Sequence, residues 1–265
     1  MNEKNYDYLK NQIKFSGFGE ELGNQLKEKI GEQAAAFSLQ HQTRFGQDDV
    51  RSTLHFSRSK ESDLYFFNKY DVEIQKTGQE QVLKQTYYVG KENNLTLKER
   101  YNQLDGRAVF KEFNRLEQVG TGQDAKWQAT DQTYKAWVEL NFKNTDDQGN
   151  FLSRKLFWDH EKALDRFPIK ELADNYERSR LLASLEKGNV QRATATIDGQ
   201  DIKVHIAANP QLKSFNFFDA NLQKLEVKPV QQEKEQQQQA ERKSETVKQA
   251  ENEQKQGRKK QVKIS

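Results

Sequence analysis

RATATIDGQDIKVH, residues 192–205, reads as two alternating runs on either side of Asp198-Gly199. An Asp-Gly pair suits a two-residue type I′ turn, in which both central residues take positive φ and the flanking strands keep their natural twist. Closing a hairpin there places Ala195 opposite Ile202 and Ala193 opposite Val204 on one face, with Thr194 opposite Lys203 and Arg192 opposite His205 on the other. Apolar residues meet apolar ones, and polar meet polar. A slip of one residue would turn every side chain to the wrong face, so the pattern specifies the register as well as the hairpin.

The same alternation recurs upstream. Tyr134, Ala136, Val138, Leu140 and Phe142 alternate with Lys135, Trp137, Glu139 and Asn141, the period of a strand covered on one face. A polar turn, Asn144 to Asn150, leads to Leu152, Leu156 and Trp158 and predicts an antiparallel hairpin. Between the two hairpins the pattern predicts a short helix from Lys162 to Phe167 and a longer one from about Tyr176 to Lys187. Asp174 and Glu177 cap the longer helix, Leu181, Leu182 and Leu185 give it an apolar stripe, and Gly188-Asn189 stop it. Further upstream, Thr96 and Glu99 form a capping box, Leu97, Tyr101 and Leu104 share a helical face, and Asp105-Gly106 end that helix. Arg107 to Phe113 reads as a strand with Val109 and Phe113 among charged residues.

Residues 1–93 have their own organisation. Tyr6, Leu9 and Ile13 predict one helix, and Leu22, Leu26 and Ile30 a second, separated by Gly17 and Gly19. Phe37 and Leu39, Leu54 and Phe56, Tyr70, Val72 and Ile74, then Leu83, Tyr87 and Val89 alternate with polar residues, as in an antiparallel meander with one wet face.

The segments NLTLKERYNQLDGRAVFKE (94–112), YKAWVELNFKNTDDQGNF (134–151), FPIKELADNYERSRLLASLEKGNVQRATA (167–195) and IAANPQLKSFNFFDANLQK (206–224) carry a resemblance. In wording and order they resemble an uncharacterised family encoded largely by Bacteroidetes genomes, often on conjugative or other mobile elements. The opening MNEKNYDYLKNQIKFSGFGEEL and the closing GRKKQVKIS are similar to such proteins too. The resemblance implies a mobile-element protein; it brings no activity, ligand or catalytic residue with it. Leu116 to Thr130 departs from the family pattern, being longer than a short turn between strands, and is expected to be an insertion loop.

Hydrophobic residues make up only 34% of the chain and charged ones 31%, a lean core whose leanness is partly local. Beyond Val227 there are no aromatics, and Gln, Glu and Lys dominate, so residues 228–265 are expected to form a disordered tail that cannot offset its ordering entropy. That tail holds ten basic and six acidic side chains, leaving 33 of the 43 basic and 34 of the 40 acidic residues in the body. The basic surplus therefore belongs to the tail. Arg258, Lys259, Lys260 and Lys263 are its candidate non-specific phosphate contacts, the alternative being a solvated, solubilising segment. No basic n-region precedes an apolar h-region, and no run approaches the roughly 18 apolar residues of a membrane span. A soluble protein without a targeting segment is expected. The absence of cysteine excludes disulfides, thiol catalysis and thiolate zinc sites, and fits a cytoplasmic location.

Catalytic signatures are missing. His41, His55, His160 and His205 lie apart without metal-ligand spacing. Asn144, Asp146, Gln148 and Gly149 superficially resemble a calcium loop, but Lys155 stands where the bidentate glutamate belongs. There is no phosphate-cradling or dinucleotide glycine motif and no nucleophile elbow, and no cofactor is expected. Tyr65, Phe66, Phe67, Tyr87 and Tyr88 either stack bases or fill a core. Trp137, with Lys135 and Glu139 on its face, either packs beneath the helix of Leu181 and Leu185 or anchors an interface rimmed by charge.

The expected fold is α+β, with antiparallel sheets and peripheral helices in two similar-sized lobes, 1–93 and 94–227, followed by the tail at 228–265. The expected function is that of a non-enzymatic binding or adaptor protein of a mobile genetic element, its partner another protein or DNA. The alternatives are an enzyme whose carboxylates converge from distant strands, nuclease-like, or a factor acting on host defence.

Overall fold

A computed structural model describes residues 2–90, 95–122 and 125–230. Helices α1 (Glu3–Ile13) and α2 (Gly23–Gly31) precede strands β1 (Ala36–Phe45), β2 (Asp48–Arg58), β3 (Tyr65–Gln75) and β4 (Val82–Tyr88). Helix α3 (Leu97–Leu104) leads to β5 (Val109–Val119), β6 (Lys126–Thr145) and β7 (Phe151–Leu156). Helices α4 (His160–Leu164) and α5 (Asn175–Glu186) then precede β8 (Gln191–Ile197), β9 (Gln200–Asn209), β10 (Ser214–Phe218) and β11 (Lys224–Leu225). The strands make three antiparallel sheets, ordered β1-β2-β3-β4, β5-β6-β7 and β11-β10-β9-β8, so the α+β class is as expected. The tail lies outside the described residues beyond Val230.

Alternation in β2 and β3 builds the first core. Val50, Leu54 and Phe56 face Tyr70, Val72 and Ile74, all buried, and Leu9 and Ile13 of α1 with Leu26 and Ile30 of α2 cover them. His55 pairs with Lys69 but Phe56 pairs with Phe67, so Asn68 is an extra residue. Such a bulge lets Phe67 and Tyr70, three positions apart, both point inward. This core does not stop at residue 93: Leu97, Tyr101 and Leu104 of α3 and Leu140 of β6 belong to it.

Helix α3 is a buried strut. Its capping box forms, with the Thr96 side chain accepting from the Glu99 amide and the Glu99 carboxylate accepting from the Thr96 amide at 2.8 Å. All its residues except Lys98 are buried. Buried polar groups must find partners. Glu99 pairs with Lys111 at 2.6 Å, Gln103 donates to the Val138 carbonyl at 3.2 Å, and Asn102 donates to the Lys187 carbonyl at 2.7 Å. The last bond ties α3 to the end of α5. Gly188 sits there at φ +75°, and a Cβ on it would lie 2.8 Å from the Ala108 carbonyl oxygen, so only glycine fits.

The β8–β9 hairpin has the register read from sequence, with Ala195 opposite Ile202, Ala193 opposite Val204, Thr194 opposite Lys203 and Arg192 opposite His205. Asp198 and Gly199 both take positive φ, 51° and 76°. Ala193, Ala195 and Val204 are buried under α4 and α5, whereas Ile202, near the turn, stays 40% exposed.

One expectation fails. Leu116 to Thr130 is not an insertion loop: β5 continues to Val119 and β6 starts at Lys126, pairing Leu116 with Ala129, Gln118 with Trp127 and Val119 with Lys126. The two strands form a ribbon that extends past the rest of their sheet. Both its faces meet solvent, so no apolar periodicity marks it, and hydrogen bonding between the strands supplies the order that burial does not.

Candidate binding surface and cleft

Trp137 is fully buried, packed on Phe110, Trp158 and His160 at ring separations of 5.3, 5.8 and 5.0 Å. It offers no surface to a partner. Glu139, on the same face, is also buried, accepting from Arg154 and from Gln211 at 2.9 Å, and only Lys135 is exposed. The interface reading of Trp137, Lys135 and Glu139 is thereby corrected: β6 is the middle strand of its sheet, and its second face is covered by Trp158 and by the turn carrying Gln211. Arg258, Lys259, Lys260 and Lys263 lie outside the described residues. Of the aromatics weighed as base-stacking groups, Tyr65, Phe67 and Tyr87 are core, and only Phe66 and Tyr88 are substantially exposed.

The histidines are separate. His55 meets Asp71 at 2.9 Å, His160 meets Glu186 at 3.0 Å, and His205 accepts from Arg192 at 3.4 Å. Thr86 donates to Asp71 rather than to His55, so no hydroxyl nucleophile faces an imidazole there. Burial opposes ionisation of Asp71, but the Thr86 and His55 bonds outweigh it and hold its pKa below the usual carboxylate value. Among the described residues, no group of three or more His, Asp or Glu is placed to hold a metal. Asp146, in the would-be calcium loop, accepts from the Gln148 and Asn150 amides at 2.9 and 2.8 Å and closes a hairpin turn.

The exposed tryptophan of this region is Trp127, on the ribbon. It is 69% exposed and shares a ribbon face with Leu116, 61% exposed, and Ala129. β5 is the edge strand of its sheet, and β7 pairs with β6 only from Trp137 onward, so among the described residues both outer edges of the ribbon lack a strand partner. No apolar periodicity announces this surface; the available sequence signal is the pair of strand-forming residues Val119 and Trp127 flanking the glycines at 120 and 122.

A second feature lies inside. Between β4, α3 and the β6–β7 pair is a cavity of about 200 Å³ lined by Gln85, Tyr87, Arg100, Gln103, Leu140 and Ser153, among others. Gln85 and Asn150 hold the two sheets together at its rim: Gln85 donates to the Phe151 carbonyl at 3.1 Å and accepts from its amide at 2.8 Å, while Asn150 accepts from the Thr86 amide at 2.8 Å. Arg100 is 7% exposed, with its guanidinium carbon 4.1 Å from the centre of the Tyr87 ring. Burial raises the Tyr70 and Tyr87 pKa values, with the Arg100 charge acting against the rise at both.

A larger cavity of about 390 Å³ lies on the third sheet beside Glu171, Arg192, Lys203 and His205. Its polar groups are occupied with one another: Glu171 accepts from the Thr194 amide and hydroxyl at 2.9 Å, and Lys203 donates to that hydroxyl oxygen at 2.6 Å.

Set against known proteins, the chain matches no family profile, no curated protein and no solved structure. Function must therefore be argued from its own surfaces. No helix among the described residues is long and apolar enough to cross a membrane.

Proposed function

We propose that this is a non-enzymatic binding or adaptor protein of the mobile-element kind its sequence resembles, and that it holds a protein partner along the β5–β6 ribbon. The observation that carries this reading is Trp127, largely solvent-exposed beside Leu116 on a ribbon whose two edges have no strand partner among the described residues. Large aromatics presented this way supply most of the free energy at protein interfaces. Open edges favour an extended partner segment that adds as a strand, its backbone bonding to the ribbon and every second side chain meeting Leu116 and Trp127.

Charge favours protein over DNA as the partner here. Along the described part of the ribbon Lys111, Arg115, Lys126 and Lys135 are interspersed with Glu112, Glu117 and Asp131, whereas phosphate binding rests on clustered cations. The test uses the full-length protein and its Trp127→Ala and Leu116→Ser variants in cells carrying the element, with crosslinking to the ribbon. Wild type should crosslink to a defined partner and both variants should lose it, with melting temperatures unchanged. Equal capture by the variants would sink the reading. DNA affinity at about 50 mM salt, lost when Arg258, Lys259, Lys260 and Lys263 become Gln, would move the function to nucleic acid.

A further inference from the structure

The cleft beneath α3 holds a cation that no carboxylate among the described residues neutralises. Arg100 is more than nine-tenths buried, yet its hydrogen-bond partners among the described residues are neutral, the Gln103 side-chain oxygen at 3.2 Å from Nη1 and the Tyr70 hydroxyl. Its Nε is buried without an acceptor among the described residues. The carboxylate next to it in sequence, Glu99, is turned away to Lys111 and to the Thr96 cap. The Tyr87 ring beneath the guanidinium offsets part of the charge, and the same residue leaves a second polar atom unmet, because its buried hydroxyl has no partner either. Removing a guanidinium from water without an anion is costly, and buried polar atoms in native proteins are nearly always paired. Both residues line the same cavity, and their unmet donors point to a ligand that supplies the acceptors.

We propose that this cleft binds a small carboxylate. Arginine presents a planar fork that matches the two oxygens of a carboxylate, and the Nε side is the unoccupied one. The Tyr87 hydroxyl adds a donor, and the neighbouring Val138, Leu140 and Phe151 give an apolar wall for a short hydrocarbon body. At about 200 Å³ the space is below the range of drug-sized sites, roughly 300–1,000 Å³, so the ligand is a short-chain acid rather than a nucleotide or a cofactor. The site is independent of the ribbon, and either proposal stands if the other falls.

The test titrates the full-length protein with sodium butyrate and, separately, with inorganic phosphate, at constant ionic strength in a buffer free of carboxylates, by calorimetry and thermal unfolding. Butyrate should bind and raise the melting temperature, with phosphate weaker. Arg100→Met, similar in volume and uncharged, should stay folded and lose the butyrate response. Tyr87→Phe, which removes only the hydroxyl, should keep the unliganded melting temperature and weaken butyrate by about tenfold. If Arg100→Met does not fold, the Tyr87→Phe comparison decides. Absence of butyrate binding at concentrations of about 10 mM, where a millimolar site would be nearly saturated, overturns the proposal. So does undiminished binding by Tyr87→Phe, or a preference for phosphate.

Discussion

Gln85 of β4 and Phe151 of β7 are joined through both polar atoms of one amide, which accepts from the Phe151 N–H and donates to its carbonyl. A side chain here does what a neighbouring strand would do, and it links two sheets that share no strand pairing. Gln85→Leu keeps the volume but leaves both backbone groups without partners. It should lower stability by roughly 1–3 kcal/mol in urea denaturation. A loss below about 0.5 kcal/mol would mean that the first and second sheets are held together by other contacts.

Gly188 combines positive φ with a Cβ position already occupied by the Ala108 carbonyl oxygen at 2.8 Å and the Asn102 Cβ at 3.2 Å. Arg107 also donates to its carbonyl at 2.7 Å, so the backbone there cannot relax freely. Gly188→Ala should cost about 3 kcal/mol, from strain and overpacking together. Gly31→Ala, in α2 with open space around the new methyl, is the control and should be neutral or mildly stabilising. Equal melting temperatures for the two variants would contradict the close approach.

Gly199 isolates the conformational effect, since a Cβ there meets nothing within 4 Å while φ is +76°. Gly199→Val should destabilise by roughly 1–3 kcal/mol through the backbone alone. Gly199→Asn, which tolerates the left-handed region, should lose much less. A denaturation midpoint unmoved by valine would reject the type I′ turn.

Lys98 lies over the rings of Phe45 and Tyr101, 4.5 and 4.3 Å from their centres. Burial first, and the Arg107 charge second, push its pKa down to about 8. The unfolded chain holds this proton to higher pH, so the penalty for the charged amine is fully present below pH 8 and disappears as pH rises from 8 towards its ordinary value near 10.5. Tyr101, whose pKa is raised by burial and by its 2.8 Å bond to Asp48, opposes this only above about pH 10. Stability should therefore increase between pH 8 and 10, and Lys98→Met should abolish the increase. A parallel pH profile for the variant would show that Lys98 does not titrate in that window.

The hairpin at Asp198-Gly199 and the capping box at Thr96 were legible because each is decided by residues close in sequence. Burial on a second face was not. Strict alternation around Trp137 reads as one covered face, yet β6 lies between two packed layers, and the second layer comes from Trp158 and the turn carrying Gln211, far along the chain. Arg100 was hidden for the same reason: Leu97, Tyr101 and Leu104 describe one side of α3, while the enclosure of its other sides depends on β6 and β7. The ribbon escaped notice because a strand wet on both faces has no apolar period to read.

Strand β6 runs for 20 residues from the ribbon, where it has one neighbour, to the segment around Val138, which is paired with β5 on one side and β7 on the other. Opening its outer end breaks only a two-stranded ladder in water; opening its inner end requires the surrounding core to come apart. Amide hydrogens along this one strand should therefore exchange with deuterium over a wide range of rates, fast at Trp127 by local fraying and slow at Val138 only through global unfolding. A single peptide backbone thus samples the whole range of opening free energies available to the molecule.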